Sequence, residues 1–250
     1  MAGRLSIGTS NIVVPGTKQS FPEAFRDKSR LHYYSTLFNS LEVNRSFYKV
    51  PLPRTFERWA GEVSPEFSFT IKLWKGITHN KQLIYEPEDI RKFLSGADLL
   101  KEKRGCLLVQ FPASIQFIQL EKVAGILQNI RIHDITSSWR IAVEFRHNSW
   151  YTTETYEMLN SFTATMVIHD MPASRVTEQK TNASFVFIRY HGINGDYRDS
   201  YSFEHLNAQA FSIREWLSQG KDVFAYFNNT IGAAFENAVL LKNLVGHPTD

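Results

Sequence analysis

Short apolar runs recur along the chain, and each is rich in β-branched, aromatic or aliphatic residues and bounded by polar or turn-forming residues. Runs of this length and composition are typical of buried β-strands. The runs that fit this description are Leu5–Thr9, Leu41–Asn44, Phe67–Leu73, Cys106–Gln110, Ile141–Phe145, Ala164–Ile168, Phe185–Tyr190 and Val223–Phe227. The pattern therefore predicts eight strands.

The segments between these runs mostly carry apolar residues at helical spacing. In Glu88–Lys103, the residues Ile90, Phe93, Leu94 and Ala97 fall at i, i+3, i+4 and i+7, which predicts one face of an amphipathic helix. Weaker helical patterns lie at Arg30–Phe38, Arg54–Ala60, Phe117–Gln128, Thr153–Ser161, Phe203–Ser218 and Ala233–Leu244. The sequence therefore predicts seven helices between eight strands.

Alternation of strands and helices favours parallel strands joined by right-handed crossovers. Eight strands predict closure into a (β/α)8 TIM barrel, because closure removes the edges that an open sheet must protect. Residues 169–184 show no helical pattern, so we expect a variant barrel with an irregular connection after the sixth strand. A doubly wound open sheet is the alternative. No linker-like segment divides the chain, which favours a single domain over residues 1–250.

Composition narrows the class of protein. Of the 250 residues 43% are hydrophobic, and Cys106 is the single cysteine, which rules out an intramolecular disulfide and favours a cytoplasmic location. The chain has neither a signal-peptide pattern nor an apolar stretch of about 18 residues, so we expect no membrane association. The net charge of +3 is too small to indicate nucleic-acid binding by itself.

Common cofactor and hydrolase motifs are absent from the sequence. It contains neither glycine-rich phosphate loop, no G-x-S-x-G turn and no His-Glu-x-x-His pair. These absences disfavour nucleotide hydrolases, dinucleotide dehydrogenases, α/β-hydrolases and zincins. The sequence therefore indicates no nucleotide cofactor, and it leaves a divalent metal open.

Polar and ionisable residues cluster at the C-terminal ends of seven of the eight predicted strands, a region that we call the mouth. Ligands bind at this end of the sheet in both candidate folds. Side chains alternate along a strand, so residues two apart share a face. The residues that we expect at the mouth are Glu42, Asn44, Lys72, Gln110, Glu144, Arg146, His147, Asp170, Arg189, His191, Asn228 and Asn229.

Three cations among these residues suit an anionic ligand. Arg146 and Arg189 would bind a carboxylate or phosphate, and Lys72 would add charge or act as an acid. The alternative is that Glu144 and Arg146 form a buried salt bridge that fills the barrel, because buried charges have to be paired. His79, in a predicted loop after the third strand, is either a further polar residue of this strand end or a solvated residue, and most aromatic residues are expected to pack in the core.

Several of these segments resemble a known family over nearly the whole chain, from Gly8 to about Leu244. They are Leu41–Pro51, Phe67–His79, Gly105–Ser114, Ile141–Trp150, His169–Pro172, Phe185–Gly192 and Tyr226–Ala238. They resemble the YecE-like family, also called domain-of-unknown-function family 72, whose members are TIM-barrel proteins. The resemblance implies a variant TIM barrel with the mouth residues above as its signature, and it implies no reaction.

The chain departs from the pattern of the YecE-like family at two places. Members usually carry a tryptophan and a further aromatic residue soon after the opening Gly-Thr-Ser, whereas Gly8–Ser10 is followed here by Asn-Ile-Val-Val. Members also commonly carry an aspartate after Tyr-Phe-Asn-Asn, where this chain has Thr230. Any role that rests on either position is therefore in doubt.

Three functional hypotheses follow. The first is an enzyme that acts at the mouth on a small anionic substrate, phosphorylated or carboxylated. In it Glu144 or Asp170 would be the general base, and His191 would transfer a proton beside the cations. The catalytic candidates are therefore Glu144, Asp170, His191 and Lys72.

The second hypothesis is a metal-dependent barrel, similar to a phosphodiesterase, a nuclease or an isomerase. Its ligands would be Glu144, His169, Asp170 and His191, although Arg146 beside Glu144 would repel a divalent ion. The third hypothesis is a non-catalytic binder of nucleic acid or of a phosphorylated metabolite. Its basic residues would be Arg26, Lys28, Arg30, Arg45, Lys49, Arg54, Lys72 and Lys75.

Overall fold

Strands and helices alternate along the chain in a computed structural model that describes residues 2–135 and 137–247. The strands of the described residues are β1 (Leu5–Thr9), β2 (Ser40–Val43), β3 (Ser68–Lys72), β4 (Arg104–Phe111), β5 (Arg140–Phe145), β6 (Ala164–Met166), β7 (Ile168–His169), β8 (Phe185–Tyr190) and β9 (Asp222–Phe227). All eight predicted strands are confirmed, and the sixth is divided into β6 and β7 at Val167.

The α-helices of the described residues include all seven that the sequence predicts, together with two short ones. They are α1 (Arg30–Leu37), α2 (Arg45–Tyr48), α3 (Pro53–Glu62), α4 (Lys75–Thr78), α5 (Pro87–Ala97), α6 (Leu120–His133), α7 (Thr153–Ser161), α8 (Phe203–Ser218) and α9 (Ala234–Gly246). The predicted helix Glu88–Lys103 is shorter than expected, since α5 gives way to a 3-10 helix in which Lys101 has a φ of 54°. Within the described ranges, no helix has the length and apolarity needed to cross a bilayer.

The strands form two parallel sheets. One has the order β1-β9-β8-β7 and the other has the order β2-β3-β4-β5-β6. Between β1 and β2, Ser10 forms a single parallel bridge with Glu42. Between β6 and β7, the strand is interrupted at Val167, whose N–H donates to the Val143 carbonyl at 2.9 Å. An α/β fold with parallel strands is therefore confirmed. The predicted closed barrel is not confirmed, because the strands pair in two separate sheets.

Alternation along the strands separates two buried clusters. Leu107 and Val109 of β4 belong to a large cluster that includes apolar residues of the helices, and Cys106 and Leu108 belong to a smaller one. Adjacent strand residues point to opposite faces, so the two clusters lie on opposite sides of the strand. The smaller cluster also includes Phe187 of β8, so it draws on both sheets.

The connection between β7 and β8 is irregular, as the sequence predicts. Its helical content among the described residues is a 3-10 turn at Pro172–Ser174. Without a crossover helix here, a cavity of about 430 Å³ lies beside β8 and α8, with Tyr190 and Gln209 in its lining. The same stretch places Asp170 at the C-terminal end of β7, next to the mouth.

Candidate functional site

Arg189 lies at the centre of the mouth and binds two carboxylates. Its Nε and Nη2 donate to Oε2 and Oε1 of Glu42 at 2.8 and 2.7 Å, and its Nη1 donates to Oε2 of Glu144 at 2.7 Å. Burial opposes its charge, but Glu144 and Glu42 raise the pKa of the guanidinium. All three of its nitrogens therefore donate to carboxylates. Arg189 links the strands through these bonds, and its guanidinium is not free to bind an anion as the sequence suggested.

Glu144 is shared by the two arginines that the sequence placed near it. Its Oε1 accepts from Nε of Arg146, while its Oε2 accepts from Arg189. Burial by itself would raise the pKa of Glu144, but Arg146 and Arg189 lower it well below its usual range. A carboxylate with so low a pKa is a weak base. The salt bridge that the sequence left as an alternative is therefore present.

Arg146 differs from Arg189 because part of its guanidinium is free. Its side chain is 12% exposed, its Nε donates to Glu144, and its Nη2 lies 2.9 Å from Nε2 of His191. Its Nη1 has no hydrogen-bond partner among residues 2–135 and 137–247. Arg146 thus offers an unused donor at the mouth.

His191 is a neutral imidazole of one defined tautomer. Its Nε2 lies 2.9 Å from Arg146 Nη2 and 3.2 Å from Arg189 Nη1, and both of these groups can only donate. Nε2 is therefore the acceptor, and Nδ1 carries the proton and faces Oδ1 of Asp170 at 3.3 Å. Burial lowers the pKa of His191, although Asp170 opposes the shift. This arrangement is that of a base oriented by a carboxylate.

Asp170 is held by two further donors. Its Oδ1 accepts the backbone N–H of His191 at 2.8 Å, and its Oδ2 accepts the hydroxyl of Tyr201. That hydroxyl in turn accepts the N–H of Gly192 at 2.6 Å. Burial would raise the pKa of Asp170, but the hydrogen bonds from His191 and Tyr201 lower it. Asp170 is therefore an ionised orienting group.

Lys72 and Gln110 form a second group at the mouth. Nζ of Lys72 donates to Oε1 of Gln110 at 2.7 Å and lies 4.1 Å from the centre of the Phe47 ring. Burial first, and then Arg189, lower the pKa of Lys72 to about 7. The side-chain amide nitrogen Nε2 of Gln110 lies 3.3 Å from Nε2 of His79. His79 is thus part of this group, which is the first of the two alternatives that the sequence left open.

Asn44 and Asn228 each donate a backbone hydrogen bond at the rim of the mouth. The N–H of Asn44 donates to Oδ1 of Asn11 at 3.2 Å, and the side-chain oxygen of Asn44 is buried without a hydrogen-bond partner among the residues that the structure describes. The N–H of Asn228 donates to the Tyr190 carbonyl at 2.7 Å. Both side chains are partly exposed at strand ends, where the sequence placed them.

His147 and Asn229 serve the loops around the mouth. Nδ1 of His147 lies 2.8 Å from Oγ of Ser149 and caps the short turn that follows β5. Nδ2 of Asn229 donates to the Asp199 carbonyl at 2.9 Å and to Oδ1 of Asn237 at 3.0 Å. These contacts engage Nδ1 of His147 and Nδ2 of Asn229, whereas Oδ1 of Asn229 is buried and has no hydrogen-bond partner among the described residues.

Tyr201 is the residue of the site that sequence reasoning missed, because it was expected to pack in the core. It is 6% exposed and stands directly before Ser202, whose side chain caps α8 by accepting from His205. A phenol next to a helix cap is placed by the helix and can reach a strand end. That position is the one signal in the sequence that could have indicated its role.

The residues that the sequence suggested as metal ligands do not come together in a metal site. Among the described residues, no group of three or more His, Cys, Asp or Glu is placed to hold a metal ion. Both oxygens of Glu144 are bound by arginines, and Nε2 of His169 lies 3.3 Å from the Phe145 carbonyl. Asp170 and His191 are also bound to each other and to their neighbours, whereas Nδ1 of His169 is buried without a hydrogen-bond partner in the described part of the chain.

Fold and site together define a parallel α/β protein with an ion-pair cluster at the carboxyl ends of its strands. The chain belongs to the family described as "Protein of unknown function DUF72", whose model matches residues 6–250. The resemblance to the YecE-like family is thereby confirmed.

Relatives and solved structures agree with this assignment. The chain is 27% identical to the UPF0759 protein YunF of Bacillus subtilis, over 85% of this chain and 84% of that protein. It is 25% identical to the UPF0759 protein YecE of Escherichia coli K12, over 48% of this chain and 43% of that one. A DUF72 family protein of Enterococcus faecalis, EF0366, superposes with a TM-score of 0.79 at 20% identity, over 98% of this chain and 97% of that one. The DUF72 family protein TM1631 of Thermotoga maritima gives a TM-score of 0.73 at 25% identity, over 98% and 100%.

Proposed function

We propose that the protein is an enzyme that acts at the mouth on a small substrate bearing a phosphate or a carboxylate. The observation that carries this proposal is the unused Nη1 donor of the partly exposed Arg146. Arginine binds phosphate and carboxylate through such planar donors. Lys72, whose Nζ binds Gln110 alone among the described residues, would supply a second donor to the same ligand.

The base in this proposal is His191, with Asp170 as its orienting group. When Arg146 turns Nη2 towards a bound anion, the nearer of the two donors leaves Nε2 of His191, and only Nη1 of Arg189, at 3.2 Å, still faces its lone pair. The imidazole is then better able to accept a proton. Asp170 and Tyr201 would hold the Nδ1 proton and stabilise the imidazolium that forms. Glu144, which the sequence also suggested as a base, instead fixes both guanidinium groups.

The test is a thermal-shift series with inorganic phosphate, citrate, pyruvate and glycerol phosphate. A ligand at 100 times its Kd should stabilise the native state by about 2.7 kcal/mol, which is a Tm shift of roughly 5–10 °C for a chain of this size. We expect Arg146→Met to lose the shift. The matched control is Arg91→Met, whose arginine is exposed and pairs with Glu88 on α5. A shift that survives in Arg146→Met, or its absence in the unaltered protein, contradicts the proposal.

We also infer that residues 1–250 form one domain and that its two sheets make a single variant barrel. Arg189 of β8 binds Glu42 of β2, and the smaller buried cluster draws on strands of both sheets, which supports this arrangement. A cytoplasmic location is in keeping with the one cysteine, Cys106, which is buried and whose pKa is raised by burial.

A second candidate function, a non-catalytic binder of nucleic acid or a phosphorylated metabolite, is supported by a cavity of about 780 Å³ beside β2. Its lining includes Arg45, Lys49 and Arg58 together with the rings of Tyr48 and Trp59. Aromatic rings that stack on bases and cations that contact phosphates are typical of nucleic-acid sites. Binding of a fluorescent single-stranded oligonucleotide that weakens steeply with salt, and weakens further in Lys49→Met, would favour this function over the first.

A further inference from the structure

Lys72 is the one mouth cation without a carboxylate partner among the described residues. Arg189 binds Glu42 and Glu144, and Arg146 binds Glu144, whereas Nζ of Lys72 donates to an uncharged amide, Gln110. The lysine side chain is 8% exposed, so water reaches it poorly. A buried amine without a counter-ion is stabilised in its neutral form.

Lys103 is a buried lysine whose ammonium group is stabilised by hydrogen bonds, and it serves as a comparison for Lys72. It is also 8% exposed, but its Nζ donates to two backbone carbonyls, those of Ala60 and Val63. Carbonyl oxygens stabilise an ammonium ion, because they accept its protons. Lys72 has one such acceptor and a ring face, so the two lysines differ in their partners and not in their burial.

We propose that Lys72 is a nucleophile that forms a Schiff base with an aldehyde or ketone substrate whose phosphate or carboxylate is bound by Arg146. The inference rests on the proposed function, because Arg146 supplies the anion site. It names the substrate class as a small carbonyl compound that also carries an anion.

The surroundings of Nζ fit this role. Gln110 and the Phe47 ring hold the amine at 2.7 and 4.1 Å, so its direction is set before a substrate arrives. Burial, followed by the charges of Arg189 and Arg146, lowers the pKa of Lys72 to about 7 against the opposing charges of Glu144 and Glu42, so much of the amine is unprotonated near neutral pH. Lysines activated in this way by burial are the usual Schiff-base nucleophiles.

The step balances without an added oxidant or reductant. The lone pair of the neutral amine forms a C–N bond with the carbonyl carbon, and the carbon–oxygen π pair moves to oxygen. The oxygen takes one of the two protons of the nitrogen, which gives a neutral carbinolamine. Loss of the hydroxyl as water, with one further proton from solvent, leaves the protonated imine. The net reaction is amine, carbonyl and one proton to iminium ion and water.

The test uses pyridoxal phosphate, an aldehyde that carries a phosphate, with sodium cyanoborohydride to reduce the imine to a stable secondary amine. Peptide mass spectrometry then measures modification at each lysine. At pH 7 we expect Lys72 to react at least about tenfold faster than Lys103 and the exposed Lys75, because burial lowers the pKa of Lys72 to about 7 and leaves much of its amine neutral. Inorganic phosphate should slow the reaction at Lys72 only.

Pyridoxal without the phosphate is the matched probe for the anion site. Arg146→Met should slow labelling of Lys72 by pyridoxal phosphate and leave labelling by pyridoxal unchanged. Equal labelling of Lys72, Lys103 and Lys75, or labelling of Lys72 that ignores both phosphate and Arg146→Met, would overturn the inference.

The outcomes separate this inference from the proposed function. If phosphate gives a thermal shift that Arg146→Met removes, but Lys72 is not labelled preferentially, the anion site stands and the nucleophile is wrong. If phosphate gives no thermal shift and Lys72 is still labelled preferentially by both probes, the amine is reactive but the anion site, and with it the proposed substrate class, is wrong. Lys72→Met should abolish the labelling at this position and reduce the phosphate shift, because Lys72 supplies a second donor to the anion, whereas Arg146→Met should remove the shift.

Discussion

Arg189 binds Glu42 through two parallel hydrogen bonds of 2.8 and 2.7 Å, and this pair joins β8 of one sheet to β2 of the other. The two side chains are 1% and 0% exposed. Charges taken this far out of water are costly unless each is paired. The pair therefore ties the arrangement of the sheets to the chemistry of the mouth.

Replacing Glu42 by glutamine should destabilise the protein strongly. Glu42→Gln leaves the Arg189 guanidinium with the charge of Glu144 alone, and breaking a buried pair in this way costs about 3–5 kcal/mol. Urea unfolding of both proteins measures the loss. Glu88→Gln is the control, because Glu88 pairs with Arg91 on the exposed face of α5, where such a pair is worth about 0–1 kcal/mol. Equal losses for the two variants would show that the Arg189–Glu42 pair is not a stabilising element.

Stability should fall with acidification because of His169. Burial lowers its pKa from 6.5 to about 4. Between these values the unfolded chain binds a proton that the folded chain does not, so the free energy of unfolding decreases as the pH falls, by up to about 1.4 kcal/mol per pH unit. His79 and His191, whose pKa values are also lowered by burial, add to the slope, and the loss due to His169 is complete near pH 4.

The measurement is urea unfolding of wild type and His169→Phe at several pH values from 7 to 4. We expect a shallower dependence in the variant, since one of the contributing groups is gone. The charged neighbours of His169 are Glu144 and Arg146, and both are kept in this comparison. His247→Phe, at an exposed position, serves as the control. Parallel curves for His169→Phe and wild type would contradict the prediction.

Strand and helix positions could be predicted because local patterns carry them. The helices α7 and α8 match their predicted bounds, and both begin after a residue whose side chain caps the first turn, Thr152 and Ser202. The division of the sixth strand could not be predicted, because at Val167 the strand passes from pairing with β5 to pairing with β8. That change depends on the neighbouring strands and leaves no trace in the local sequence.

The mouth could be predicted as a place but not as a bonding pattern. Polar residues at strand ends predict a common location because parallel strands end on the same side. Which carboxylate binds which arginine depends on strand register, as the contact between Arg189 and Glu42 shows. His79 and Tyr201 reach the site from loops, and loop paths have no periodicity from which they could be predicted.

Tyr201→Phe should destabilise the protein and weaken the hold on Asp170. The hydroxyl donates to Oδ2 of Asp170 and accepts the N–H of Gly192 at 2.6 Å, so its removal takes a partner from the buried Gly192 N–H and from the partly buried Asp170 carboxylate. Each such loss costs about 1–3 kcal/mol. Urea unfolding checks the expectation, with Tyr197→Phe as the control because Tyr197 is 36% exposed. If the two variants lose the same free energy, the hydroxyl of Tyr201 does not have the role assigned to it.

Gly8→Ala tests the contact between the two sheets at β1 and β2. A Cβ atom at Gly8 would lie 2.0 Å from the Ser40 carbonyl oxygen and 2.5 Å from the Tyr34 hydroxyl, so the strands would have to separate. Overpacking of this kind costs about 1–3 kcal/mol, and more when backbone has to move. Gly125→Ala in α6 is the matched control, because a Cβ there meets nothing within 4 Å and alanine should stabilise the helix by about 0.5–1 kcal/mol. We expect urea unfolding to show opposite signs for the two substitutions. A Gly8→Ala protein as stable as wild type would mean that β1 and β2 approach each other less closely than the Ser10–Glu42 bridge requires.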